Sequence, residues 1–258
     1  PIPASDLAAV QAILRQHEIL CALEPDTDLY SCLTWRRQTA HHGTQVFALF
    51  DRNVLNDVLS VVQPASLGVR QKCGDRGRIG AALMAFLQCS NVMIEPCMAL
   101  YENPTRAAEE LPLFRRADEV DATIYTDIAL GRRDNLPPEM LPEPCKPVPV
   151  VNFQMPIRGR RNVLIAILKI AELELAPHAS LEKMENFLRW SYDDFLFLTP
   201  VILLAGAYFT PRREGALLKN LRSPDRQKAL AAVQNAVWDL QVIYQWSKRV
   251  AAQPGRTR

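Results

Sequence analysis

Three groups of acidic residues have the side-chain types and positions that metal-assisted chemistry requires. Asp51 directly follows a short apolar run, Glu102 follows a second one, and Asp193 and Asp194 precede a third. Carboxylate oxygens together with water are the ligands that Mg²⁺ and Mn²⁺ prefer. If the fold brings these groups together, they can hold an ion that activates water for phosphodiester hydrolysis.

Each acidic group also has a structural interpretation. Asp is a preferred N-cap residue, so Asp51 alone is more often a helix cap than a metal ligand. Asp193 and Asp194 can complement the dipole of the apolar helix predicted after them. The order and spacing of the groups therefore matter more than any single residue.

The elements predicted around the early acids place them at the ends of strands. Residues 44–50 form a short run rich in β-formers, and residues 92–94 form a second one that Glu95 and Pro96 end. This order favours an α/β crossover arrangement with a small parallel sheet, where ligands bind at the carboxyl ends of the strands. The helices predicted in this half are residues 7–23, 54–62, 79–89 and 97–111.

The second half is predicted to be almost entirely helical. Seven prolines between residues 136 and 156 indicate an extended connection. Ser223 is the predicted N-cap of the last helix, with Pro224 at its first position. Trp190, Trp238, Tyr244 and Trp246 recur at helical spacing and face either the core or an oligomer contact. The predicted helices are residues 162–175, 180–190, a Pro-kinked run over 195–209, and 224–251.

Composition excludes several classes of protein. The chain is 48% hydrophobic and 22% charged, which excludes a disordered or fibrous protein. Its net charge of +2 gives no global field for nucleic acid, so phosphate contacts must come from local arginines. The run 195–209 is shorter than the roughly 18 residues of a membrane span. We therefore expect a soluble, cytoplasmic protein with no membrane contact.

The order of the acidic motifs resembles that of the PIN-like nuclease family. Its members carry Asp-x-Asn after the first strand, Glu in a later helix and a further Asp introducing an Ala-rich helix. Asp51 and Asn53 match the first element, Glu102 in Ala-Leu-Tyr-Glu matches the second, and Asp194 matches the third. The resemblance runs from about residue 45 to about residue 222 and is closest to the bacterial branch with Asp-Arg-Asn.

This resemblance implies a fold, a reaction and a set of site residues. The fold is α/β, a small parallel sheet flanked by helices in a PIN-like core, with extensive helical additions and a predominantly helical C-terminal half. The reaction is Mg²⁺- or Mn²⁺-dependent endonucleolytic hydrolysis of RNA rather than DNA. The catalytic residues are Asp51, Glu102 and Asp194; the metal ligands are these three and Asp193; the substrate contacts are Arg52, Asn53, Arg212 and Arg213.

Two alternatives stay open at this level. The family's terminal Thr-x-Asp is replaced by Thr210, Pro211 and Arg212, so a catalytically inactive PIN-like interaction module is the first alternative. A helical scaffold whose acids are caps is the second. In either case we divide the chain into an N-terminal helical segment 1–43, a core 44–222 with a Pro-rich insertion at 136–156, and a C-terminal long helix with a basic tail, 223–258.

Overall fold

The protein forms two compact units, Pro1–Met155 and Pro156–Arg258. The computed structural model describes residues 2–20, 28–42, 45–144, 160–210 and 218–251. This division differs from the boundaries expected after residues 43 and 222. The reason is packing: the first helix packs inside the first unit, and the last helix packs inside the second.

The described part of the chain is mostly helical and contains one small sheet. In the first unit the elements are α1 (Ala4–Gln16), α2 (Cys32–His42), β1 (Phe47–Leu49), α3 (Arg52–Ser66), α4 (Asp75–Ser90), β2 (Met93–Glu95), α5 (Cys97–Glu102), α6 (Pro104–Asp118), α7 (Ala122–Ala129) and a 3₁₀ turn (Pro138–Met140). In the second unit they are α8 (Arg160–Leu175), α9 (Ser180–Asp193), α10 (Thr199–Tyr208) and α11 (Arg226–Ala251).

The two strands pair in parallel. Phe47 lies opposite Met93 and Leu49 lies opposite Glu95, so both strands end at the same level. Helices α3 and α4 lie between the strands in the chain, as a parallel pair requires of its crossover connection. The prediction of a small parallel sheet in a helix-dominated chain is therefore confirmed in outline.

Helix α4 is the centre of the first unit. All residues from Ile79 to Leu87 are buried, because α4 packs against α1, α2, α3 and α7. It approaches α3 closely at Gly80, where an added Cβ would lie only 2.5 Å from the backbone oxygen of Asp57. A side chain at this position would have to push the two helices apart.

The predicted helix over residues 97–111 is divided in two. Helix α5 ends at Glu102 and α6 begins at Pro104, with Asn103 between them at φ −130° and ψ 77°. A residue that precedes proline is disfavoured in the helical region because the proline ring clashes with its backbone. The single-helix prediction is therefore wrong, and Glu102 lies directly at the break.

Other predicted helix ends are also displaced. Helix α1 ends at Gln16 rather than near residue 23. The N-cap of α11 is Asp225 instead of Ser223, because Asp225 Oδ1 accepts a hydrogen bond from the Gln227 amide at 2.9 Å. In the predicted Pro-rich connection, Pro138–Met140 forms the 3₁₀ turn, while residues 145–156 lie outside the described residues.

The core of the second unit is built around α8. Ile167 and Ile170 of α8 are buried with Phe187 and Val237 from neighbouring helices. Trp238 is buried, whereas the Trp190 ring stacks on Phe195 with 4.8 Å between ring centroids. None of the helices in the described part of the chain has the length and apolar character that crossing a membrane requires.

The close contact at Gly80 predicts opposite effects for two glycine-to-alanine changes. Overpacking against backbone costs about 1–3 kcal/mol, which exceeds the gain of about 1 kcal/mol from better helix propensity. Gly80→Ala should therefore lower the free energy of unfolding. Gly206→Ala in α10 should raise it, because the nearest atom to its added Cβ is 3.9 Å away. Urea unfolding followed by circular dichroism measures both, and a Gly80→Ala variant as stable as the parent would contradict the contact.

Candidate functional site

The candidate site lies at the carboxyl end of the two paired strands. Phe50 follows β1, is buried, and donates its amide to the backbone oxygen of Glu95 at 3.2 Å. Asp51 is the next residue, and Glu95 is the last residue of β2. The parallel pairing therefore brings the ends of both strands, and the chain that follows each of them, to one edge.

Asp51 is an exposed carboxylate whose direction is fixed. It is the N-cap of α3, and its Oδ1 accepts a hydrogen bond from the Val54 amide at 2.8 Å. A carboxylate has about four acceptor positions, so the cap leaves room for a further ligand. The capping and metal-binding interpretations of Asp51 are thus compatible. Asn53 is exposed in the first turn of the same helix.

Glu102 lies in the same unit, at the end of the short helix that follows β2. It is the last residue of α5 and is half-buried. The start of α5 is fixed by Glu95, whose Oε1 accepts the Cys97 amide at 3.3 Å. Burial, together with the charges of Cys97 and Glu95, raises the pKa of Tyr101 in the same helix.

Arg52 has a protein partner that sequence reasoning missed. Its Nη1 lies 2.5 Å from Glu110 Oε2 and its Nη2 lies 2.6 Å from Oε1, which is the geometry of a two-pronged ion pair. The exposed fractions of the two side chains are 12% and 5%. Arg106 Nε also lies 3.0 Å from Glu110 Oε1. The two Arg52 nitrogens that were expected to contact phosphate therefore donate to Glu110 instead.

A signal for this partner was present in the sequence. The buried residues of α6 are Ala107, Glu110, Phe114 and Ala117, which recur at helical spacing. An acid on an otherwise apolar stripe needs a buried cation, since an unpaired charge in such a place is strongly unfavourable. The pattern identifies Glu110 as buried and paired, although it does not identify Arg52 as the partner.

A second acid lies close to Asp51 on helix α3. Asp57 has only 13% of its side chain exposed, and its Oδ1 lies 3.5 Å from Arg76 Nε. Burial raises the pKa of the Asp57 carboxyl; Arg76 opposes the increase and the charge of Asp51 adds to it. Of these three causes, burial is the largest and the charge of Asp51 is the smallest.

The third acidic group has a different setting from the one expected. Asp193 is the last residue of α9 and Asp194 is its C-cap, and both are exposed. The apolar helix α10 begins only at Thr199, with Leu198 as its N-cap. The prediction that these acids introduce the apolar helix is therefore wrong. At a helix C-terminus a carboxylate opposes the dipole, so dipole complementation does not account for them either.

The acids of the predicted site lie in two different units of the described structure. Asp51 and Glu102 belong to the first unit, and Asp193 and Asp194 belong to the second. Within the described ranges, no group of three or more His, Cys, Asp or Glu side chains could hold a metal ion. Arg212 and Arg213 lie outside the described residues.

Comparison with known proteins adds no family. No protein-family model, curated protein or solved structure matches this chain. The resemblance to PIN-like nucleases therefore stays a prediction, and function is inferred from the residues at the sheet end.

The raised pKa of Asp57 predicts a pH-dependent stability. The folded protein binds the Asp57 proton more tightly than the unfolded chain, whose carboxyl has the usual pKa of 3.8. This contribution to stability is complete below that value and is lost as the pH rises through the higher folded pKa. Asp57→Asn removes the charged form. The melting temperature of the variant minus that of the parent should therefore become larger as the pH rises from about 4 to about 7.

Asp75→Asn is the matched control for this measurement. Asp75 is exposed in the first turn of α4, where a negative charge is favourable. Its replacement should give no gain in melting temperature at neutral pH. If the melting temperatures of the parent and of Asp57→Asn change with pH in parallel, the charge of the Asp57 carboxyl does not affect stability and the prediction is wrong.

Proposed function

We propose that the protein is a metal-dependent endoribonuclease with a PIN-like acidic site, acting on RNA rather than DNA. One observation carries this proposal. The two acids that match the family's first motifs, Asp51 and Glu102, follow two strands that pair in parallel and end in register at Leu49 and Glu95. The carboxyl end of parallel strands is where ligands bind in open α/β sheets.

The donor set fits the proposed ion. Mg²⁺ keeps several waters and is usually bound through one or two carboxylates together with substrate phosphates. Asp51, which is exposed and oriented by its cap, and Glu102 supply two carboxylates in the first unit.

The chemistry proposed is hydrolysis of a phosphodiester bond. A bound Mg²⁺ or Mn²⁺ would supply a Lewis acid that activates water and neutralises charge on the phosphate. Asp51 and Glu102 would orient the ion, and the exposed Asn53 amide would donate to a phosphate oxygen. Arg212 and Arg213 would add affinity for the backbone of the nucleic acid without sequence specificity.

Two observations favour a second candidate, a catalytically inactive interaction module. Asp51 already has a structural role as the α3 cap, and the described residues contain no group of three potential metal ligands. A PIN-like protein without the Asp of the family's terminal Thr-x-Asp would keep its fold and the Asp51 cap of α3. The two candidates differ in whether purified protein cuts RNA.

The nuclease proposal predicts metal-dependent cleavage that three substitutions remove. The purified full chain should cut single-stranded RNA with Mg²⁺ or Mn²⁺ and not with EDTA. Asp51→Asn, Glu102→Gln and Asp194→Asn should each lower the rate by about 100-fold or more, since residues that only support metal ligands already contribute 10–100-fold. Gel assays on labelled RNA, with folding checked by circular dichroism, measure the effect.

Glu109→Gln is the matched control because it removes an exposed carboxylate from α6, close in the chain to Glu102. It should cut RNA as the parent does. If the parent cuts neither RNA nor DNA with either metal, the interaction module is the better description. Equal residual cutting by the parent and Asp51→Asn would indicate a contaminating nuclease.

The same site predicts stabilisation by metal. Neighbouring carboxylates repel one another, and an ion that binds only the folded state stabilises it by about 2.7 kcal/mol at a concentration 100 times its dissociation constant. The melting temperature of the parent should therefore rise with Mn²⁺ concentration, and that of Asp51→Asn should rise much less. An equal rise in both proteins would show that Mn²⁺ binds at a place that does not include Asp51.

A further inference from the structure

The pairing of the two strands leaves one edge of β1 open. Met93 donates its amide to the Val46 oxygen at 2.9 Å, and Phe50 donates its amide to the last residue of β2 at 3.2 Å. Successive residues of a strand direct their backbone groups to opposite edges. Because Val46 and Phe50 point toward β2, the N–H and C=O groups of Phe47 and Leu49 point away from it. The hydrogen bonds of the described residues include none from the amides of Phe47 or Leu49.

The open edge of β2 offers fewer backbone groups. Ile94 points toward that edge, but the amide of Val92 bonds to the Leu87 oxygen at 3.1 Å, and Pro96 has no amide. Addition of a strand depends on a row of main-chain hydrogen bonds. The edge of β1 is therefore the one that can accept a further strand.

The outer face of the sheet is apolar and uncovered in the described structure. Phe47 and Met93 lie opposite each other and are 44% and 49% exposed. The other face carries Ala48 and Ile94, which pack against the core. Parallel sheets normally have both faces covered, and natural free edges are protected by charges or proline. The strand Phe47–Leu49 contains neither, so its open edge and outer face have the features of a docking surface.

The charges around this edge define the chemistry of the occupant. Residues 45–50 carry no charge, whereas Asp51 follows them with an exposed carboxylate. The α3 cap uses one acceptor position of Asp51 and leaves others open. Opposite charges that face each other across strands are favourable, and like charges are unfavourable. A segment with Lys or Arg at the end beside Asp51 therefore fits this edge best.

We propose that the open edge of β1 binds an extended segment of a partner protein, with apolar side chains over Phe47 and Met93 and a basic residue beside Asp51. The segment adds as a strand through backbone hydrogen bonds, and its alternate side chains give specificity. A second copy of the chain fits less well, because β1 has three residues and a stable dimer needs about 1,000 Å² or more. This docking surface goes beyond the proposed nuclease activity and does not depend on it.

The test uses the full chain and synthetic peptides. A fluorescein-labelled peptide Lys-Val-Thr-Val-Thr-Val and its reverse, Val-Thr-Val-Thr-Val-Lys, cover the antiparallel and parallel orientations. At least one should bind, as measured by fluorescence anisotropy, and should slow the hydrogen exchange of the Phe47 and Leu49 amides, as measured by NMR. Ala48, whose amide points toward β2, is the internal reference because its exchange should change much less.

Exchange of charge tests the basic residue. A peptide with Glu in place of Lys should bind the parent about two- to fivefold more weakly, the usual effect of one exposed charge pair. Asp51→Asn keeps a residue that can cap α3 and should remove the difference between the two peptides. Asp75→Asn removes an exposed acid from α4 and should keep the difference. The same preference in Asp51→Asn as in the parent would contradict a basic residue beside Asp51.

Methylation of the peptide backbone tests strand addition without any change in the protein. Methyl groups on the amides that face β1 remove the donors to the Phe47 and Leu49 oxygens, so binding should be lost. Methyl groups on the alternate amides leave these donors in place and should weaken binding much less. If the two methylated peptides bind equally, the peptide does not add as a strand and the inference is overturned.

Other results also overturn the inference. Failure of both peptides to bind at about 1 mM excludes the docking surface, as does binding that leaves the exchange of Phe47 and Leu49 unchanged. Slow exchange of these amides without peptide, at every protein concentration, shows that another segment of this chain covers the edge. Slow exchange only at high protein concentration shows that a second copy covers it. Either result excludes a partner segment as the occupant.

Discussion

The close approach of α3 and α4 is the constraint on which the first unit depends. At Gly80 the backbone of α3 occupies the space that a side chain of α4 would need. This contact places α4 in the centre of the core, where its buried residues pack against four other helices. Because α3 and α4 also form the connection between β1 and β2, this contact lies within the crossover that joins the two paired strands.

Burial separates the charged residues at the sheet end into two kinds. Glu110 is enclosed and bound by Arg52, so it is committed to the fold. Asp51 is exposed and uses one acceptor position for its cap, so its other acceptor positions are open to solvent. A buried charge needs a protein partner, whereas an exposed carboxylate can accept a ligand. The proposed chemistry depends on this difference between neighbouring acids.

Local sequence patterns predicted most of the elements but not their limits. Hydrophobic periodicity identified α3, α4, α8 and α9, because burial of one helix face imposes it on the sequence. The break at Asn103 was missed although Pro104 signals it, since the apolar pattern on either side continues with helical spacing. Helices α2 and α7 were missed as well. The two units were not predicted because a unit is defined by contacts between distant segments.

In the candidate site, too, some features depend on neighbouring residues in the chain and others depend on residues that are distant in the chain. The sequence by itself determined that Asp51 follows a short strand and begins a helix, since β-forming residues and capping residues act on their neighbours in the chain. The strand is less buried than its apolar run predicts, because Phe47 is 44% exposed. The burial of Glu110 on the apolar face of α6 was not predicted, although the residue spacing is consistent with it. Only the tertiary structure decided that Arg52 turns to Glu110, and that Asp194 ends α9 instead of beginning α10. The choice of a charged partner and the end of a helix depend on which groups lie nearby in space, and residue spacing along the chain does not record that.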